Sequence, residues 1–244
     1  MIPPGRAEPQ VRLDVVQALR RALRLLAGDW AAVILAGLVL VTLPGMAARA
    51  MAPSADFDIV LTTLRGVLAM LFVALVSFGA GARASGRSLP PPDYWRQGLA
   101  RALPGLKVAL LMGCAVVTGL IVQLFARHGT LAGLVLDAAL LAAGLWGLCA
   151  ALPAVPAAVM ENLPPAAAFR RAAALTDGNR NRVLALALVV GLALAPLLAL
   201  ALGMAGTGMA GTVAAWVIAA IELLAWSLAA LVPAAVYAEL KGVP

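Results

Sequence analysis

The sequence predicts an all-α integral membrane protein with six transmembrane helices and three short cytoplasmic interfacial helices. Three observations carry this. Of 244 residues, 64% are apolar and only 12% charged, with mean hydropathy +1.00. A soluble domain runs about half apolar and about a quarter charged, so a water-soluble enzyme is disfavoured at once. The apolar residues are gathered into runs of about 20, the length that crosses a hydrocarbon core of about 30 Å. The basic residues fall in alternate connections between those runs.

The six runs are taken in order. Trp30 to Ala48 carries no charge and gives a span near 30–48. The next, near 59–82, is interrupted only by Arg65; the third lies near 107–126 and the fourth, holding Asp137, near 131–153. From Val183 to Val243 only Glu222, Glu239 and Lys241 are charged, a stretch too long for one crossing. The glycine-rich stretch from Gly203 to Gly211 divides it into spans near 183–202 and 212–238. Residues 1–28 form a cytoplasmic amphipathic segment, and 1–244 is read as one polytopic domain. A charged stretch of that length before a run of spanning length reads as an anchor, not a cleaved signal.

Orientation follows from Lys and Arg in short connections. With the N-terminus inside, only Arg49 and Arg127 fall outside and Arg65 within a span; the rest of the 18 basic residues are cytoplasmic. Both termini are therefore expected in the cytoplasm. The net charge of +7, which in a soluble protein would raise the question of nucleic acid, is accounted for by topology, and no nucleic-acid partner is expected. Cys114 and Cys149 lie inside apolar runs and His128 is the lone histidine, so neither a structural disulfide nor a metal centre is expected.

Cytoplasmic segments precede the first, third and fifth spans, and each reads as an interfacial helix. In the first, Val15, Leu19, Leu23 and Leu26 share one face while Asp14, Gln17, Arg21 and Arg24 occupy another. Such a helix lies along the inner leaflet with its arginines near anionic headgroups. The second begins near Pro92 and carries Tyr94 and Trp95, which suit the interface. In the third, Asn162 is expected as N-cap, Pro164 in the first turn and Gly178 as the stop. Echoes accompany them: ALRRA at 18–22, GLARA at 98–102 and AFRRA at 168–172. Three repeated helix-plus-hairpin units, or chance in an Ala/Arg-rich chain, both account for these.

The stretch 156–182 contains an acidic residue, Glu161, then Pro164, Arg170, Arg171, a Leu175-Thr176 pair and Gly178, before Arg180 and Arg182. It resembles bacterial polytopic proteins typified by the glycerophosphoryl diester phosphodiesterase membrane domain. The segment 18–26 and the ending from Ala235 to Lys241 fit the same likeness. It departs at Ala172, where relatives often have Ser, and in its short tail, and no fused catalytic domain is expected. The resemblance implies a six-helix module of the bacterial cytoplasmic (inner) membrane, and supplies a fold more than an activity.

Two groups of residues are candidates for function. Arg65, Asp137 and Glu222 lie at similar depth on the second, fourth and sixth spans, all three running the same way. Charges inside a membrane are costly and are expected to pair and face the bundle interior or water. Two readings stand: a polar cluster that holds a headgroup, ion or proton, or a structural pair that fixes helix register, with Arg65 free to snorkel outward. The second group is Glu161, Arg170, Arg171, Arg180 and Arg182, which either anchors the chain on the cytoplasmic side or holds an anionic lipid or a partner. No catalytic constellation and no cofactor motif appears. The expected function is therefore a non-enzymatic accessory or scaffold for membrane lipids or a partner membrane protein. The alternative is a small transporter or lipid translocator using Arg65, Asp137 and Glu222.

Overall fold

The computed structural model describes residues 12–51, 55–124, 130–206 and 212–242. They are all-helical, with no strand among them. The elements are α1 (Val15–Gly28), α2 (Trp30–Gly37), a π turn (Leu38–Thr42), α3 (Leu43–Met51), α4 (Ala55–Ala84) and α5 (Pro91–Leu124). They continue with α6 (Leu131–Ala151), α7 (Ala154–Glu161), α8 (Pro165–Thr176), α9 (Arg180–Gly206) and α10 (Thr212–Leu240). Among the described residues six stretches are long and apolar enough to cross a membrane: Trp30–Ala48, Val60–Ala84, Pro91–Gln123, Leu131–Glu161, Arg180–Ala201 and Ala214–Leu240.

α1 starts because the Asp14 carboxylate accepts hydrogen bonds from the Val16 and Gln17 N–H groups, an N-cap that satisfies donors with no partner inside the helix. Its buried positions are Ala18, Ala22 and Leu25, and it packs on α10 and α9. Of the stripe expected to face lipid, Val15, Leu19 and Leu26 pack against this core, whereas Leu23 is exposed.

The first span contains a π turn. Leu43 N–H bonds to Leu38 O, one residue beyond the α-helical partner, and Pro44 follows directly. Proline offers no N–H and its ring clashes with the carbonyl four residues back. A widened turn at that carbonyl relieves both conflicts.

The second expected interfacial helix is not a separate element. α5 runs unbroken from Pro91 through Pro104 to Leu124. Tyr94, Gly98, Ala102, Gly105 and Val108 are buried at helical spacing on both sides of the proline, and α5 packs on α4 and α7. A continuous packed stripe outweighs the single hydrogen bond that Pro104 removes. The fourth crossing also extends past 153: after a turn at Leu152 and Pro153, α7 resumes, with Pro156 in a first turn where no intrahelical donor is required.

Asn162, expected to start α8, instead ends α7. It sits in the left-handed region at φ 52° and its N–H bonds to Ala158 O. Asparagine tolerates that conformation, and so serves as a C-cap. Pro164 is the residue that precedes α8, with Pro165 at its first position. Gly178, at φ 72°, makes the turn into α9.

One end of the bundle, the basic end, carries α1, α7, α8 and the start of α5, with Arg83, Arg87, Arg96, Arg101, Arg170, Arg171, Arg180, Arg182 and Lys241. The main core is there: Phe72, Leu75, Val76, Tyr94, Val183, Leu186 and most of α10 from Ala230 to Leu240. A second cluster joins Ala74 and Phe78 to Ala102, Val155, Val159 and Ala168. Away from it, packing thins: Leu197 and Ala201 of α9 meet Val217, Ile218 and Ile221 of α10, while Leu131, Leu134, Leu141 and Leu192 are all exposed. Membrane helices gain little from exchanging lipid for another apolar side chain, so their association relies on close approach through small residues. Gly79 is such a place: a Cβ there would fall inside the buried Tyr94 ring.

Gly79→Ala is expected to destabilise the detergent-solubilised protein by roughly 1–3 kcal/mol, the usual range for overpacking. Gly144→Ala, where a Cβ meets nothing within 4 Å, should be neutral or raise the melting temperature, since Ala is about 1 kcal/mol better in a helix. Equal melting temperatures for the two variants would contradict the packing account.

Candidate functional site

Arg65 on α4 and Glu222 on α10 meet: Nη2 lies 3.5 Å from Oε1. Both are partly buried, and the pair lies over Gly45 on α3, whose hypothetical Cβ would sit 3.4 Å from each side chain. A methyl group at position 45 would make ordinary van der Waals contact with both side chains. Glu222 is thus the carboxylate beside Arg65. Asp137 is placed differently: its helix α6 packs on α5, α8 and α9, not principally on α4 or α10. Its Oδ1 is buried and has no hydrogen-bond partner. The three residues therefore form a pair and a separate acid, not one cluster.

The five residues at the basic end are likewise divided among distinct contacts. Glu161 Oε1 accepts from Tyr237 Oη at 2.6 Å and Lys241 Nζ at 3.0 Å, and lies 3.5 Å from Arg171 Nε. Lys241 also donates to Tyr237 Oη at 2.9 Å. Arg180 stacks over the Trp146 ring, 4.6 Å from its centroid. Arg182 donates to Leu13 O at 2.8 Å, and Arg170 is exposed. Three of the four arginines thus hold the fold together at places where α6, α7, α8 and the N-terminal segment meet. Burial works to lower the Lys241 pKa, but its bonds to Tyr237 and Glu161 outweigh that and leave it raised. The ammonium form is what those acceptors require.

Two contacts at this end were not anticipated from the sequence. Asp29, between α1 and α2, forms an ion pair with Arg83 at the end of α4. Burial raises the Asp29 pKa and Arg83 only partly offsets it. A lone acid directly before an uncharged span was the available signal, since such a position demands a cation. The other is a latch on the chain before α1. Leu13 N–H donates to Asn179 Oδ1 at 3.0 Å and Asp14 N–H donates to Glu239 Oε1 at 2.8 Å. Lys241, in the turn directly after α10, is four residues past Tyr237 and falls on its side of the helix, which a helical reading of the closing segment would have revealed.

Arg49, for its side chain, and Arg127 and His128 altogether lie outside the described residues. Cys114 and Cys149 are both free thiols. Among the described residues no three His, Cys, Asp or Glu side chains come together as a metal site would require. Comparison with protein-family models, with curated proteins and with solved structures returned no match.

Arg65→Gln and Glu222→Gln should each lower the melting temperature, and the double variant should cost less than their sum, with a coupling of about 0.5–1.5 kcal/mol. Asp137→Asn should add independently to Arg65→Gln. Coupling of Arg65 to Asp137 and none to Glu222 would contradict the pairing.

Proposed function

We propose that this chain is a non-enzymatic accessory or scaffold module of the bacterial cytoplasmic membrane, docking a partner membrane protein through the far halves of α6 and α9. The observation that carries this reading is the uneven burial of the bundle. The apolar stretches of α6 and α9 are only 6% and 12% buried, against 18% for that of α5, 33% each for those of α4 and α10 and 50% for the first span. Elements that contribute little to their own core are available to another protein's. The pairing of Arg65 with Glu222 supports the same reading, because matched charges fix helix register, whereas a passing ion needs groups left unmatched. The basic end is the cytoplasmic end on the positive-inside rule, which sets α1 and α8 at the inner leaflet beside anionic headgroups. The resemblance of 156–182 to the glycerophosphoryl diester phosphodiesterase membrane domain agrees with a module of this kind.

One observation favours a second reading, a small transporter or lipid translocator. Asp137 holds a carboxylate oxygen without a hydrogen-bond partner within a candidate span. An acid so placed would serve a proton or cation pathway along α6.

A photo-crosslinking residue at Leu134 or Leu192, activated in native membranes, should give one discrete protein adduct. The same residue at Phe72, inside the core, should give none. Lipid adducts alone at positions 134 and 192 would contradict the docking reading, and substrate flux abolished by Asp137→Asn in proteoliposomes would replace it with the second. A reporter fused after Lys241 should be active only in its cytoplasmic form.

A further inference from the structure

A cleft of about 80 Å3 opens between α4, α7 and α10 at the basic end, lined among others by Ser77, Ser85, Met160, Ala234, Tyr237 and Lys241. Two features mark it as more than a packing gap. Ser77 is fully buried, at 0% exposure, yet its Oγ has no hydrogen-bond partner. A buried hydroxyl left this way costs about 1–3 kcal/mol, and a helical serine can normally bond the carbonyl four residues back. Lys241 has three N–H donors, of which two go to Glu161 and Tyr237. The cleft therefore has an uncommitted donor at each end. Ser85 and Lys241 mark its mouth; Ser77 lies eight positions back along α4, about 12 Å deeper at 1.5 Å per residue.

Charge and depth define what fits. Arg171 and Lys241 against Glu161 leave one net positive charge beside the mouth. A single phosphodiester neutralises it. The lining between the ends is Ala, Gly, Pro and Met. Ser77 lies within the span Val60–Ala84, at a level where the acceptors on offer belong to molecules that are themselves in the bilayer. A glycerophospholipid has this order of groups: a charged phosphate, then ester carbonyls deeper toward the hydrocarbon.

We propose that this cleft binds a phosphate ester, the phosphate taking the free Lys241 donor and an ester oxygen taking the Ser77 hydroxyl, and that an anionic glycerophospholipid is its source. The site uses none of the far-half surface of α6 and α9, so loss of one assignment leaves the other standing.

The test is native mass spectrometry and thermal melting of the full chain in detergent, titrated with phosphatidylglycerol, phosphatidylcholine or inorganic phosphate. Phosphatidylglycerol should bind at one saturable site and raise the melting temperature; the other two should do so weakly. Lys241→Gln should weaken that site by about tenfold, the worth of one charge-assisted hydrogen bond. Ser77→Ala should weaken it severalfold while leaving the lipid-free melting temperature unchanged or higher, because it removes a hydroxyl that nothing satisfies. Equal phosphatidylglycerol binding in wild type and both variants would overturn the proposal. So would stabilisation by inorganic phosphate that matches the lipid's and is indifferent to Ser77→Ala, which would make the source a soluble anion held at the mouth alone.

Discussion

The close approach of α4 to α5 and α10 is the constraint from which the rest of the structure follows. These are the most heavily packed helix pairs in the bundle, and α4 achieves them with Ala74, Gly79, Ala80, Gly81 and Ala82 on its buried surface. In lipid the hydrophobic effect gives no net reward for bringing two apolar helices together, so dispersion at short range must do so. Bulky partners then fill the space the glycines leave, with Tyr94 against Gly79 and Met160 against Gly81. Once α4, α5 and α10 are fixed in this way, α1, α7 and α8 close over them at one end. The far halves of α6 and α9 have no such small-residue seam against α4; α9 there rests on α10 through Leu197 and Ala201, and the rest of both surfaces stays exposed.

The charges fit into this frame after packing has chosen their neighbours. Arg83 can reach Asp29 because Gly28 presents no side chain in its path. Arg65 meets Glu222 directly over Gly45, close enough that a Cβ there would touch both side chains. At position 28 a residue with no functional group decides whether the ionic contact can form. The same logic explains why three arginines of the segment 171–182 are spent on internal partners. Their elements converge at the basic end, where Arg171 and Arg182 meet oxygen acceptors and Arg180, whose buried Nε has no hydrogen-bond partner among the described residues, is held by the Trp146 ring.

Helix number and type were legible in the sequence because they depend on composition over about 20 residues, a property each segment carries by itself. The six spans predicted near 30–48 through 212–238 all correspond to apolar helices. What was not legible depended on partners distant in the chain. The segment beginning near Pro92 reads locally as a separate interfacial helix, yet burial of Tyr94, Gly98, Ala102 and Gly105 against α4 and α7 carries α5 straight through Pro104 into the third span. Asn162 has the composition of a helix start and the backbone of a helix end. Depth alone put Arg65, Asp137 and Glu222 on one level. Which of them meet was fixed by the neighbours of α6, and those are α5, α8 and α9.

The π turn ahead of Pro44 has a geometric consequence of its own. An extra residue accommodated in one turn advances the chain by about 100° relative to a regular helix. The buried side of the first span accordingly passes from Leu40 and Val41 to Gly45 and then Ala48. In a continuous α-helix the buried row Val33, Gly37 and Leu40 would continue at Pro44 and Ala47, whereas the buried positions are Gly45 and Ala48. The widened turn thus works as a rotational offset between two halves of one membrane crossing, delivering a glycine, the smallest residue available, to the place where two ionised side chains must fit.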